Sequence, residues 1–407
     1  MFHASSPAIE QWSVDQLPDR LWDVAVIGAG PAGATAAAYL ARAGHSALLI
    51  DRYRFPRDKV CGDAIIADTI AALTRLGALA DVEARAYSTS VISVYSPSRV
   101  RVDVPGRFLM LKRVELDVVI ARRAAIDGAR IVRGFVTGVE PAGDCVRILV
   151  RGRATPIVSR FAVLATGADV TLQQRLGVKS TSAPSAIALR CYVRSRRRIE
   201  RPIISYDREI LPGYAWIFPL RHHEYNIGCG IFFKQVVHRD VNLRTILDRF
   251  LRTFPEAAEI MREADAPTAI KGARIRSGLS GSEAACVPRV LSIGESIGAT
   301  LPFTGEGIGK AMETGELAAD TLHQAITTGN AGVLSSFGRR VSAELGPRYL
   351  GYLVAERWLS RPWLNDLIAR RTQRSPLLLK LIAGVLNETI DPRAIFSIRG
   401  LARSFLD

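Results

Sequence analysis

Cysteine is scarce in this chain of 407 residues, and the few that occur are scattered. The five cysteines are Cys61, Cys145, Cys191, Cys229 and Cys286, and no two of them form a C-x-x-C pair. A disulfide scaffold and a cysteine-ligated zinc site are therefore excluded, and the pattern favours a reducing compartment. The chain does not open with a basic segment followed by an apolar one, so we expect a cytoplasmic protein.

Lysine is also scarce, since 47 of the 54 basic residues are arginines. The net charge is +15, and basic residues concentrate at 190–201 and at 339–407, where 12 basic residues face 6 acidic ones. No zinc-finger spacing, RRM-like aromatic motif or basic heptad accompanies either cluster, so we expect no nucleic-acid partner. Two interpretations stay open: a solvated basic surface, or a surface that contacts an acidic ligand or the inner face of the cytoplasmic membrane.

Long apolar runs are lacking, with one partial exception. Residues 24–41 carry no charge, but Gly28, Gly30, Pro31 and Gly33 interrupt them. The run is therefore better explained as strand, glycine turn and helix, followed by a second strand at 47–50, than as a membrane span. Hydrophobic residues make up 48% of the chain and charged residues 23%, which is ordinary globular composition.

The glycine turn has the spacing of a dinucleotide-binding loop. Gly28, Gly30 and Gly33 form G-x-G-x-x-G between the strand and the helix, and Asp51 ends the next strand. The first glycine permits the tight turn, the second lets the backbone approach a pyrophosphate, and the third lets helix and strand pack closely. An acid at the position of Asp51 can accept hydrogen bonds from a ribose. The chain lacks a second such loop, a Ser-His-Asp order, a metal-ligand cluster and a Walker loop, so we expect no metal.

Four further segments resemble flavoproteins related to the aromatic hydroxylases. They are the R-x-x-L pair Arg113 and Leu116, the segment 165–169, the pair Gly294 and Glu295, and the loop 302–308 (P-F-T-G-E-G-I). The resemblance implies bound FAD, with Arg113 near its pyrophosphate. Backbone N–H groups of Gly305, Gly307 and Ile308 would stabilise negative charge on the reduced flavin. Val170 and Glu295 depart from the superfamily's glycine and aspartate.

Two more segments resemble geranylgeranyl reductases. Residues 214–219 (Y-A-W-I-F-P) and Gly228-Cys229-Gly230 match the Y-x-W-x-F-P…G-x-G signature, and 56–63 matches a cysteine-glycine segment of the same enzymes. The tail around 386–389 is similar as well, so the resemblance covers the chain from about residue 23. It implies hydride transfer from reduced flavin to a C=C bond of an isoprenoid or other apolar substrate.

The resemblance also implies a set of site residues. Those expected to bind FAD are Gly28, Gly30, Ala32, Gly33, Asp51, Arg52, Cys61, Gly62, Arg113, Val136, Gly294, Glu295, Gly305, Gly307 and Ile308. Those expected to bind substrate are Tyr214, Trp216, Phe218, Pro302 and Phe303, and the catalytic candidates are Cys61, Tyr214 and Trp216. Cys61 is either a small thiol that packs against flavin or substrate, or a redox-active one. The aromatic residues are either a cavity wall or ordinary core, and His222 and His223 are expected in a solvated turn.

Alternatives to the reductase stay open because one fold serves several chemistries. A flavin-dependent monooxygenase or halogenase acting on a small metabolite is one, and a non-catalytic lipid-binding protein that retains FAD is another. The electron donor is equally open: NADPH in transient contact, or an electron-donor protein.

The expected fold is α/β, with a Rossmann-type FAD-binding domain, an antiparallel β-sheet substrate domain and a helical C-terminal region. We expect an N-terminal extension at 1–22 and a discontinuous FAD-binding domain from 23–90, 108–170 and 285–325. The substrate-binding domain is expected from 91–107 and 171–284, and the helical region from 326–407.

Overall fold

The structure is a computed structural model that describes residues 9–178, 184–233, 242–282 and 285–397. The first eight residues of the expected extension and the last ten of the expected helical region lie outside the described residues. The strands are β1 Trp12–Ser13, β2 Leu21–Ile27, β3 Ala47–Asp51, β4 Ala64–Ile65, β5 Tyr87–Tyr95, β6 Arg101–Met110, β7 Arg130–Arg133, β8 Val136–Ala142, β9 Cys145–Val150, β10 Ile157–Leu164, β11 Ala186–Arg194, β12 Ile203–Ser205, β13 Gly213–Pro219, β14 Glu224–Phe232, β15 Lys271–Ile275, β16 Cys286–Val287 and β17 Val290–Ser292. The helices are α1 Pro31–Arg42, α2 Ala67–Leu76, α3 Leu79–Glu83, α4 Arg113–Ile126, α5 Thr171–Arg175, α6 Leu243–Thr253, α7 Pro255–Arg262, α8 Ile308–Thr328, α9 Phe337–Leu359, α10 Pro362–Thr372 and α11 Pro376–Leu386.

The first sheet is built on parallel strands. Its order is β1-β7-β3-β2-β10-β17-β16, and β9 and β8 extend it from β10. The strands from β1 to β17 along this path pair in parallel, whereas β16, β9 and β8 pair antiparallel. Helix α1 connects β2 to β3, which confirms the predicted strand–helix–strand unit. Buried β2 and β3 are almost wholly apolar, as expected for central strands covered on both faces.

The second sheet is mainly antiparallel and carries the predicted aromatic segment. Its order is β15-β11-β14-β13-β12-β5-β6-β4. Strand β13 pairs with β14 so that Tyr214 lies opposite Gly230 and Trp216 opposite Gly228. The two halves of the sequence signature are therefore cross-strand neighbours.

Helices dominate the described residues from Ile308 to Ser397, which agrees with a helical C-terminal region. Helix α8 packs against α1 and α2, while α11 packs against β6. Leu379, Ile382 and Leu386 join the apolar cluster that contains Trp216 and Phe218. The helical region thus covers the aromatic face of the second sheet. Among the described residues, no helix combines the length and apolar character needed to cross a membrane.

Two local features were not predicted from the sequence. The segment 130–142 is divided into β7 and β8, because Gly134 N donates to Asp51 O and β8 turns to pair with β9. Residues 12–13, which lie within the expected extension, form the edge strand β1 on β7. The domain boundaries stay a prediction.

Candidate active site

A cavity of about 910 Å³ opens where the carboxyl ends of the parallel strands meet the second sheet. In α/β folds this edge is the usual ligand site, and the volume is within the range of cofactor pockets. The cavity is lined by the glycine turn after β2, the ends of β3 and β10, the faces of β13 and β14, and the start of α8. Its predicted site residues are Gly28, Gly30, Ala32, Asp51, Arg52, Cys61, Gly62, Arg113, Val136, Tyr214, Trp216, Phe218, Glu295, Gly305, Gly307 and Ile308.

The three glycines of the turn have different reasons to be glycine. Gly28 has φ +105°, and a Cβ there would lie 2.3 Å from Ala165 O. A Cβ on Gly33 would lie 1.9 Å from Gly28 O, so this glycine serves helix–strand packing and does not line the cavity. A Cβ on Gly30 would meet only the end of the Arg57 side chain, at 3.8 Å. Contacts among the described residues therefore do not require a glycine at position 30. The open space in front of Gly30 suits a pyrophosphate.

Asp51 is tied to the glycine turn by its carboxylate. Its Oδ2 accepts from Ala29 N at 2.9 Å and its Oδ1 from Tyr53 N at 2.9 Å. Arg57 also donates to Oδ2 at 3.3 Å. Each oxygen retains acceptor capacity, so the predicted ribose contact is compatible with these bonds.

Guanidinium groups held in place by acids line this end of the cavity. Arg113 is buried at the start of α4 and forms a two-bond pair with Asp117, at 2.7 and 3.0 Å. Arg57 reaches the same carboxylate at 3.0 Å, so one acid holds two arginines in place. The predicted Arg52 lies at the cavity wall with its side chain half-exposed, 3.6 Å from Asp169.

The loop before α8 faces the cavity with backbone. Gly305 has φ +70°, Gly307 is the residue before the first turn of α8, and Ile308 begins the helix. Gly305 N donates to Leu301 O at 3.3 Å, so the expected N–H contacts to flavin fall to Gly307 and Ile308. N–H groups at a helix start favour negative charge, which fits the pyrimidine end of a reduced flavin. Glu295 lines the cavity nearby, paired with Lys59 at 3.3 Å.

Three predicted residues near this loop do not line the cavity. Gly294 has φ +68° and donates to Thr314 Oγ1 at 2.9 Å, which joins it to α8. Phe303 is buried and stacks on Tyr206 with the ring centroids 5.4 Å apart, and Tyr206 in turn contacts Tyr214. Phe303 therefore supports the wall from behind through Tyr206, and Pro302 is buried next to it in the chain without lining the cavity.

The aromatic wall depends on glycine at two positions. Tyr214, Trp216 and Phe218 alternate along β13 and so lie on one face. A Cβ on Gly228 would lie 2.3 Å from Trp216 Cζ2, and one on Gly62 would lie 3.3 Å from Phe218 Cε2. Gly228 on the neighbouring strand β14 and Gly62 above the rings carry no side chain. This leaves room for the rings of Trp216 and Phe218 to lie against the sheet.

A buried polar network, which sequence reasoning missed, connects this wall to Arg113. Asp63 Oδ2 accepts from Tyr192 Oη and Asn226 Nδ2, both at 2.7 Å, and Oδ1 accepts from Arg113 N at 3.1 Å. Asn226 Oδ1 accepts from Trp216 Nε1 at 2.9 Å. Burial raises the pKa of Asp63 to about 6. Asp63 follows the cysteine-glycine pair directly, which was a signal, whereas nothing in the sequence marks Asn226.

The structure also shows the environments of Cys61, His222 and His223. Cys61 is half-buried at the cavity, its backbone oxygen accepts from Asn226 Nδ2 at 2.8 Å, and burial raises the pKa of its thiol. A raised pKa disfavours the reactive thiolate, so the environment is that of a packing thiol. His222 and His223 are exposed in the turn between β13 and β14, as predicted.

The cavity thus combines an open glycine turn at a helix start, buried arginines and a second helix start next to an apolar aromatic wall. The fold and the site define an FAD-dependent oxidoreductase.

Comparisons with known proteins support the assignment as an FAD-dependent oxidoreductase. Residues 22–193 match the model of the FAD binding domain, and residues 204–266 match the geranylgeranyl reductase catalytic domain. A menaquinone reductase of Mycolicibacterium smegmatis is 32% identical over 314 residues, covering 74% of this chain and 76% of the relative.

Solved structures share the fold. A geranylgeranyl bacteriochlorophyll reductase-like protein of Thermoplasma acidophilum superposes with a TM-score of 0.75 at 19% identity, covering 95% of this chain and 96% of the other. The flavin-dependent brominase Bmp2 superposes with a TM-score of 0.74 at 20% identity, covering 95% and 99%. The chain belongs to the geranylgeranyl reductase family of FAD-dependent flavoproteins.

Proposed function

We propose that the protein reduces a C=C bond in the prenyl chain of a quinone or lipid. The observation that carries the proposal is the aromatic wall of Tyr214, Trp216 and Phe218, which lines the same cavity as the glycine turn and the α8 loop. The match to the geranylgeranyl reductase catalytic domain and the similarity to a menaquinone reductase support a prenylated substrate. Bound reduced FAD supplies hydride for such a reduction.

The chain's own residues have a positioning task. Tyr214, Trp216 and Phe218 present a flat apolar surface on which an alkene can lie without water. Gly62 lies over the rings of Trp216 and Phe218, and the hydrogen bond from Trp216 to Asn226 fixes the plane of the indole. We propose Tyr214 and Trp216 as the residues that hold the alkene, with Cys61 packing beside it.

The FAD contacts are proposed along the polar half of the cavity. Backbone at Gly28, Gly30 and Ala32 and the side chains of Arg52, Arg57 and Arg113 would hold the pyrophosphate and ribityl region. Asp51 and Val136 would contact the adenosine part, and Glu295 and the Gly305–Ile308 backbone the flavin. Backbone N–H groups and arginine side chains line this part of the cavity, and open space lies in front of Gly30. These features fit the dinucleotide FAD.

The electron donor is proposed to bind transiently, as NADPH or as a donor protein. One G-x-G-x-x-G turn is present and FAD accounts for it, so a nicotinamide would have no dedicated domain. Stopped-flow reduction with NADPH, NADH and a ferredoxin distinguishes these donors, because only the physiological one should bleach the flavin within the time of a turnover.

The helical region is proposed to meet the cytoplasmic membrane surface. Trp363, Leu350 and Leu377 are large apolar residues that stand exposed on α10, α9 and α11. Arg361, Arg370, Arg374 and Lys380 are exposed in the same region. Apolar anchors with basic neighbours suit an anionic lipid surface, where a prenyl substrate is stored.

A halogenase or monooxygenase is the second candidate, because a brominase has the same fold. At 20% identity that superposition shows the fold alone. The two candidates differ in their need for oxygen, which the following experiment uses.

The experiment is an anaerobic single turnover. Enzyme-bound FAD is reduced with dithionite and mixed with a menaquinone whose side chain is unsaturated or fully saturated. Because a quinone ring can itself oxidise flavin, the saturated quinone is the matched control. Faster flavin reoxidation by the unsaturated quinone alone supports the proposal, whereas equal rates with both would refute side-chain reduction.

A further inference from the structure

A cluster of buried charged groups lies behind the α8 loop. The Lys310 side chain is fully buried, and its Nζ lies 3.3 Å from Asp68 Oδ2, 3.3 Å from Glu313 Oε1 and 2.7 Å from Glu388 Oε2. Arg348 adds a second cation, 3.4 Å from Glu313 and 3.3 Å from Glu388. We call these five residues the Lys310 cluster. Its three carboxylates are close enough to share a metal ion, but the lysine ammonium already pairs with all three.

Glu306 links this cluster to the cavity. It stands between Gly305 and Gly307, which both line the cavity, and Lys310 follows one helical turn later. Its Oε2 is buried and has no hydrogen-bond partner among the described residues. Neither the cofactor cradle nor the aromatic wall uses this carboxyl group.

The surroundings of Glu306 favour its neutral form. Burial is the main cause that raises the pKa of Glu306 well above its usual range, and repulsion by Asp68 and Glu388 adds to it. Lys310 opposes the shift. The other ionisable groups that face it are Tyr206, Tyr214 and Tyr352, whose own pKa values are raised mainly by burial and further by Glu306. Among these groups, Glu306 is therefore the carboxyl group that we expect to hold a proton.

Tyr214 connects the Glu306 loop to the reacting space. Its ring lines the cavity, and its hydroxyl donates to the backbone oxygen of Thr304. The hydroxyl oxygen lies 3.3 Å from where a Cβ of Gly305 would be. The phenol therefore contacts the same three-residue stretch that carries Glu306.

We propose that Glu306 is the internal proton source of the reduction, acting through the hydroxyl of Tyr214. The inference rests on the proposed function, in which one alkene carbon gains a hydride and the other must gain a proton. The Tyr214 O–H bond breaks as the new C–H bond forms, and the phenolate takes a proton from Glu306. The Glu306 carboxylate is then stabilised by Lys310 and regains a proton from solvent by way of Glu388, which is partly exposed.

The first test is independent of turnover. Infrared spectra of the purified protein at neutral pH, taken in H2O and D2O, should show the C=O stretch of a protonated carboxyl group. Glu306→Gln should lose this band, while Glu316→Gln should keep it. Glu316 is a matched control because it is also partly buried on α8, where it pairs with Arg75. A spectrum of Glu306→Gln identical to the wild type in this region would overturn the inference.

The second test separates proton supply from folding and from the proposed function. Glu306→Gln should bind FAD and be reduced by dithionite like the wild type, but its reoxidation by prenyl substrate should fall about 100-fold, in the range of general acid catalysis. Its solvent deuterium isotope effect should change, and Glu306→Asp should restore part of the rate. Wild-type turnover with an equally fast Glu306→Gln would refute the proton source alone. A wild type that reduces no prenyl substrate would refute the proposed function instead.

Discussion

At the scale of single residues, glycines and buried acids do most to shape the cavity. Gly28 and Gly33 are glycines because neighbouring backbone leaves no room for a side chain, whereas the space in front of Gly30 is open. The fold therefore requires glycine at positions 28 and 33, whereas we expect the cofactor to require it at position 30. Replacing Gly30 by alanine, which adds one methyl group, tests this difference.

Gly30→Ala should keep the fold and lose FAD. The new Cβ meets only the flexible end of Arg57, so the melting temperature of the apoprotein should change little. FAD affinity should fall roughly tenfold or more, because the pyrophosphate needs close approach of the backbone. FAD titration and thermal unfolding of the apoprotein measure the two effects. Gly28→Ala is the control for fold damage, and unchanged FAD affinity in Gly30→Ala would contradict the cradle.

Asp63 makes stability depend on pH in an unusual direction. Its pKa of about 6 in the fold exceeds the ordinary 3.8, so the native state holds the proton more tightly than the unfolded state. Protonation of Asp63 therefore increases the free energy of unfolding. This stabilisation is complete below the ordinary pKa of 3.8 and is lost as the pH rises through about 6. The difference amounts to about 3 kcal/mol.

Asp63→Asn removes this dependence. The stability of the wild type relative to Asp63→Asn should increase as pH falls from 7 to 4, measured by urea unfolding at each pH. Asp103→Asn is the control of opposite sign. Burial acts to raise the pKa of Asp103, but hydrogen bonds from Arg101 and Ser93 and the charges of Arg101 and Arg201 outweigh it and lower this pKa. A wild-type advantage that shrinks towards pH 4 would show that Asp63 ionises normally.

At the scale of elements, the sequence predicted structures formed by neighbouring residues but not those that depend on contacts between distant segments. The unit from β2 through α1 to β3 was predictable because its apolar runs, glycine turn and terminal acid lie within 31 residues of chain, from Leu21 to Asp51. The division into β7 and β8 was not, because it depends on hydrogen bonds to β3 and β9. Asn226 was missed for the same reason, since its partner Asp63 is 163 residues away.

The pairing of β13 with β14 explains the glycine opposite Trp216. Gly228→Ala would place a Cβ 2.3 Å from Trp216 and 2.4 Å from Leu189 O. We expect a loss of about 1–3 kcal/mol in the free energy of unfolding, as is typical of overpacking. Gly346→Ala is the matched control, because no neighbour lies within 4 Å and alanine favours the interior of α9. Equal stability of the two variants would contradict the close packing of β14 on the indole.

At the scale of the whole molecule, the two sheets and the helical region enclose one cavity with a polar and an apolar half. The parallel sheet supplies the cofactor cradle and the second sheet the aromatic wall. Helix α11 covers that wall and exposes apolar and basic residues outward. Under the proposed function, this arrangement lets an amphiphilic substrate enter the cavity from a lipid surface.

The double variant Trp363→Ser, Leu377→Ser should bind anionic vesicles less well than the wild type. Flotation with vesicles of phosphatidylglycerol and phosphatidylcholine measures this, and high salt should weaken the wild type further by screening its arginines. Leu21→Ser is the control, since Leu21 is equally exposed but lies at the start of β2. Equal flotation of the double variant and the wild type would place the contact elsewhere.

The mass of the product after one anaerobic turnover tests the central claim most directly. The prenylated quinone is recovered, its ring is reoxidised in air, and its side chain is analysed by mass spectrometry. We predict a gain of two hydrogen atoms in the side chain, one of them from D2O when the turnover is run in that solvent. An unchanged side chain under nitrogen, with oxygen or halide incorporated once air is admitted, would contradict the reductase and establish the oxygen-using alternative.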